Sequence, residues 1–156
     1  MPDQPDLTQC FVSTLEELDA AWVGGPPLPS GPIVVANYEP AWPELYEREA
    51  ARIRDLLGAT LMSIEHVGST SVPGLAAKPV IDINLVVPDS ADETAYRPQL
   101  ESAEYRLIVR EPNWHEHRLF KGSDTNINFH SGLAAHASGR PGPVCPHEAV
   151  VGRRAA

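Results

Sequence analysis

The chain has 156 residues, about one domain with room for a real core. Its formal charge of −9 argues against non-specific binding to nucleic acid. No run of about 18 apolar residues occurs, so no spanning helix is expected, and the acidic start MPDQPDLTQC does not resemble a signal peptide.

Cys10 and Cys145 alone do not make a disulfide framework, and a reducing cytoplasm is the expected compartment. Residues 131–156 hold three arginines and one acid, which leaves nine basic and twenty acidic residues before them. An anionic ligand must therefore be held by a few placed groups, by backbone N–H dipoles or by a metal ion.

In chain order, Ser13 to Trp22 reads as a helix, with Leu15, Leu18, Ala21 and Trp22 at helical spacing and Ser13 or Thr14 as cap. The Gly/Pro run at 24–32 reads as a linker, so residues 1–32 are taken as an appendage. Ile33 to Ala36 reads as a short strand. A helix follows, with Pro43 in its first turn, Gly58 at its C-terminal cap, and Trp42, Leu45, Tyr46, Ile53, Leu56 and Leu57 as the buried stripe. Glu47, Arg48, Glu49, Arg52 and Arg54 are placed mainly on the solvated side.

Leu61 to Val67 reads as a strand leading into the turn Gly68-Ser69-Thr70-Ser71. Val80 to Val87 (VIDINLVV), β-branched and nearly all apolar, suits an interior strand. Ser90 to Ala103 is helical, kinked or split at Pro98. Tyr105 to Val109, His115 to Phe120 and Asn126 to His130 read as three further strands, the last two joined by a turn at Lys121 to Asp124.

Gly68-Ser69 and Asp82-Ile83-Asn84 lie 82 − 68 = 14 residues apart at their first members. A strand ending in Gly-Ser offers N–H groups and a hydroxyl at close range, because glycine lets a phosphate approach the main chain. Strand alternation puts Asp82 and Asn84 on one face, where two oxygen-bearing side chains can meet one hard cation such as Mg²⁺. That arrangement is the chemical basis of metal-assisted nucleotidyl transfer. A solvated polar pair at a sheet edge would give the same spacing. Lys78 reads either as a phosphate-neutralising cation or as an ordinary surface lysine. His115 and His117, with His66 or His130, could ligate a metal such as Zn²⁺, or serve as hydrogen-bonded core residues.

The segment from Glu65 to Ile83, EHVGSTSVPGLAAKPVIDI, resembles the signature of the GrpB family, which has the nucleotidyltransferase fold. Tyr38 to Pro43, Tyr105-Arg106-Leu107, Arg110-Glu111-Pro112 and His117 to Gly122 extend the resemblance over about residues 33–130. It implies an α/β (α+β) domain, a mixed sheet flanked by helices, incomplete at its C-terminal end. It implies that Gly68, Ser69 and Thr70 bind phosphate and that Asp82 holds a metal, expected to be Mg²⁺. The wider nucleotidyltransferase pattern has a second acid where this chain has Asn84, and a third on a later strand, for which Glu116 is the nearest candidate. His117 and Arg118 belong to the signature, and as strand neighbours only one of them should enter the pocket.

The expected function is a metal-dependent nucleotidyltransferase-type domain that acts on or binds a nucleotide or phosphorylated small molecule. The alternatives are a catalytically inactive nucleotide-binding module assisting a partner, or a non-functional fragment. Residues 131–156, rich in Ala, Gly, Pro and Arg without period, are expected to be disordered and to follow a frameshift near Phe129 to Ser131.

Overall fold

The computed structural model describes residues 14–26, 32–113, 116–122 and, as backbone, 127–133. Helix α1 spans Leu15–Ala21 and opens with a reciprocal cap: Thr14 Oγ1 accepts from the Glu17 N–H, while the Glu17 carboxylate accepts from the Thr14 N–H. The segment after it does not stand apart. The Val23 N–H donates to Ile108 O at 3.0 Å, and Trp22 bridges Val109, so the chain lies along a sheet edge that would otherwise be open.

The strand expected at Ile33–Ala36 is not formed. Only Ala36 pairs, in an isolated bridge with Ala77, and Ile33, Val34 and Val35 are 61%, 63% and 64% exposed. β-Branched residues favour a strand only where a neighbour and a buried face exist, and here neither does.

Helix α2, Ala41–Leu57, buries Trp42, Ile53 and Leu57 as its periodicity requires, and ends at Gly58, whose N–H returns to Arg54 O. Glu49 departs from the expected pattern. It is buried rather than solvated, because it accepts a hydrogen bond from the buried Tyr105 hydroxyl fifty-six residues away. Arg52 covers the same ring at 5.1 Å and donates to Ala103 O. Burial, followed by the Glu49 contact, holds the Tyr105 hydroxyl in its protonated form by raising its pKa.

Five strands form one mixed sheet: β1 Ser63–Val67, β2 Ile81–Val87, β3 Arg106–Glu111, β4 His117–Lys121 and β5 Ile127–Leu133. Their order is β1-β2-β5-β4-β3, with β2 and β5 parallel and the other pairs antiparallel. β5 runs three residues past His130, with Ser131, Gly132 and Leu133 paired to Leu85, Val86 and Val87. The expectations for His115 and residues 134–156 lie outside the described residues.

The interior position of β2 gives its alternation a strict meaning. Ile81, Ile83, Leu85 and Val87 are buried beneath α2 and α3, while Asp82, Asn84 and Val86 are half-exposed on the other face. The stretch after β2 does divide, into a 3-10 turn at Glu93–Ala95 and helix α3, Arg97–Ser102. The break falls at Tyr96, however, and Pro98 lies in the first turn of α3, where a missing N–H costs little. Tyr96 between them fills the core against Phe120 and donates its hydroxyl to Ser90 O.

Glu93 fastens this stretch to the sheet. It takes two 2.6 Å bonds from Arg110, one of 2.7 Å from Arg118 and one of 3.2 Å from Arg97. These guanidiniums, Arg110 foremost, hold its carboxyl at about 2, below the ordinary 4.5. A depressed carboxylate pKa adds stability above the unfolded-state value, and that stability is lost as pH falls through the folded-state value. Glu93→Gln is therefore expected to lower urea stability most above pH 4.5. The difference from wild type should shrink as pH falls toward 2 in denaturation series at fixed ionic strength.

Candidate functional site

β1 ends at Val67, directly opposite Asp82, and the chain then turns through Gly68. Two constraints meet at this glycine. Its φ is +76°, a conformation side chains resist, and a Cβ added there would fall 2.8 Å from Asp82 Oδ2 and 3.2 Å from Asp82 Cβ. The Asp82 carboxyl thus lies directly against the turn. Gly68 and Asp82, fourteen positions apart in the chain, are one structural unit.

After Gly68 the residues Ser69–Ser71 form a 3-10 turn. The Ser71 hydroxyl donates to Gly68 O at 2.6 Å, which closes the turn on itself. Ser69 is half-buried at its head. Thr70 is completely buried, donates its hydroxyl to Val80 O at 2.9 Å and lies 3.1 Å from His66 Nε2. The expected phosphate role of Thr70 gives way to a structural one: its hydroxyl ties the turn to the start of β2.

His66 pairs with Ile83 in register and so sits on the helix-covered face. It stacks on Tyr46 at 4.9 Å and 12°, and burial lowers its pKa toward the neutral form. It does not share a face with Asp82. His117 and Arg118 point to opposite faces, as neighbours on a strand must, yet both are buried. Arg118 joins Glu93 and Glu116 on the helix side. Glu116 is thereby occupied as the Arg118 partner, away from Asp82.

The His117 Nδ1 lies 2.7 Å from Glu111 Oε2. It is four residues along β4 from Lys121, the residue level with Asp82, a rise of about 13 Å. The His66–His117 metal set is therefore not assembled, and among the described residues no group of three or more His, Cys, Asp and Glu could hold a metal ion. Lys78 is exposed in the loop between the turn and β2. His130 is level with Asn84 in the parallel β5, and its side chain lies outside the described residues.

One acidic neighbour was not singled out from the sequence. Glu65 pairs with Asn84 across β1 and β2 and is exposed on the same face as Asp82. Alternation in β1 places Glu65 and Val67 together, but only the observed register aligns Glu65 with Asn84.

A family model described as GrpB protein matches residues 32–140. The chain belongs to the GrpB family. A UPF0157 protein of Halalkalibacterium halodurans is 54% identical over 130 residues, which are 83% of this chain and 67% of that protein. A UPF0157 protein of Streptomyces coelicolor is 44% identical over 108 residues, 69% of this chain and 55% of that one. The crystal structure of GrpB from Enterococcus faecalis shares the fold with a TM-score of 0.58 at 30% identity, over 64% of this chain and 61% of that chain. This GrpB chain thus spans about two thirds of the first relative and about half of the second. The mixed α+β architecture is the GrpB one. No helix among the described residues is long and apolar enough to cross a membrane.

Gly68→Ala in this GrpB chain is expected to cost about 1–3 kcal/mol, from the positive φ and the contact with Asp82. Thr70→Val, which removes a buried donor from Val80 O, is expected to cost a similar amount, about 1–3 kcal/mol. Urea denaturation measures both.

Proposed function

We propose that this domain is of the metal-dependent nucleotidyltransferase type and takes the phosphate of a nucleotide or phosphorylated small molecule at Gly68-Ser69. The observation that carries this reading is the contact of Gly68 with Asp82, close enough that a Cβ would fall 2.8 Å from the carboxylate oxygen. A phosphate near a side-chain-free turn would meet main-chain N–H groups on one side. On the other it would meet whatever cation the adjacent carboxylate holds.

Asp82 and Asn84 suit a single Mg²⁺, which takes one or two protein oxygens and completes its shell with water and phosphate oxygens. Such an ion would neutralise phosphate charge and polarise the phosphoryl group. The pair does not suit two-metal chemistry, which needs bridging carboxylates. Asn84 therefore favours a second reading, in which the site binds its ligand without turnover and assists a partner.

Nucleotide titrations with and without Mg²⁺ or Mn²⁺, followed by thermal shift and calorimetry on the whole chain, test the proposal. Ligand at about 100 times its Kd should raise stability by about 2.7 kcal/mol. Asp82→Ala should remove the metal-dependent part of binding. Metal-stimulated turnover lost in that variant supports the enzyme, and metal-dependent binding without turnover supports the module. A folded sample that binds no nucleotide overturns both readings.

A further inference from the structure

The strand registers place more than Asp82 at this end of the sheet. Val67 is level with Asp82, Asp82 with Asn128, Asn128 with Lys121, and Lys121 with Arg106. Directly paired residues project to the same face. The next row confirms the direction: Leu107 pairs with Phe120, and both are buried beneath the helices. Lys121 and Arg106, one residue on from each, are exposed on the opposite face, the face of Asp82.

Two cations directly opposite each other on adjacent strands repel and weaken the pairing. The first 130 residues carry twenty acids, yet neither Lys121 nor Arg106 makes an ion pair among the described residues. The other cations of these two strands, Arg110 and Arg118, are both paired to Glu93. Asp82, the acid of the same row, is two strands from Lys121 and three from Arg106, so among the described residues no acid stands directly opposite either cation. A bound anion would neutralise the exposed pair.

We infer that Lys121 and Arg106 form the distal half of the phosphate site, and that the ligand is a nucleoside polyphosphate rather than a monophosphate. This rests on the reading of Gly68 and Asp82 as the proximal half. Adjacent strands are about 4.8 Å apart, so Lys121 lies about 10 Å and Arg106 about 14 Å across the sheet from Asp82. The long side chains of both bridge part of that span. A single phosphate held at Gly68-Ser69 does not cover the rest, whereas a phosphate chain lying along the row does. The same row then runs from N–H donors through a carboxylate to two cations, a gradient that orients the chain with its terminal phosphate toward Arg106.

Calorimetry of the full chain with ATP and AMP, each with Mg²⁺, tests this against Lys121→Gln/Arg106→Gln and Lys121→Arg. The wild type should bind MgATP at least tenfold more tightly than AMP with Mg²⁺. The double variant should lose at least tenfold in MgATP affinity, change little toward AMP, and keep or slightly raise its unliganded melting temperature, because both residues are exposed and mutually repulsive. Lys121→Arg should retain affinity within about threefold, the charge being kept. Equal binding of ATP and AMP by the wild type overturns the inference. So does a double variant that binds MgATP as wild type does; if Asp82→Ala still abolishes binding, the proximal site stands without the distal one. A folded wild type that binds neither nucleotide overturns both.

Discussion

β2 is hydrogen-bonded along both edges, and this constraint governs the molecule. A strand held by neighbours on each side can direct its residues only up or down, and a slip of one residue would exchange the two sets. Ile81, Ile83, Leu85 and Val87 fill the floor of the core, so Asp82 and Asn84 are obliged to face the other way. The candidate site is therefore fixed by the packing that stabilises the fold. Gly68 completes the arrangement, since any larger residue would meet the Asp82 side chain.

What the sequence made legible follows from how local each signal is. VIDINLVV marks its own buried strand, the Gly-Ser turn lies within reach of it, and Thr14 with Glu17 declares a helix start within four residues. What stayed hidden depended on partners far along the chain. Glu49 looks solvated until Tyr105 is seen to reach it, and Ile33 to Val35 look like a strand until the sheet is found to offer them no edge. His66 seemed a pocket residue, but the register of β1 turns it toward Tyr46. The alignment of Asp82 with Lys121 and Arg106 depends on β5 lying between β2 and β4, which no pattern within a single strand reveals.

The two faces of the sheet differ in how they treat charge. On the helix side each buried ion is closely matched: Arg118 meets Glu93 and Glu116, and Glu93 gathers three guanidiniums. Buried charges persist only when paired and hydrogen-bonded, so this is a requirement of the interior. On the open face, Glu65 beside Asn84 and Lys121 beside Arg106 make no ion pair among the described residues. GrpB relatives share the family's architecture, and in this chain the unmatched charge separates into an acidic end and a basic end of one surface.

The strand order also dictates when the molecule can assemble. β1 and β2 form one antiparallel pair and β3 and β4 another, and each can close without the other. Within the sheet they are joined by β5, which inserts between β2 and β4 and meets β2 across 127 − 81 = 46 positions of chain. Contacts of such separation carry a large loop-closure cost and form slowly. A ribosome must therefore deliver β5 before the two hairpins become one sheet, and until then the long β2 edge faces solvent as an invitation to mispairing.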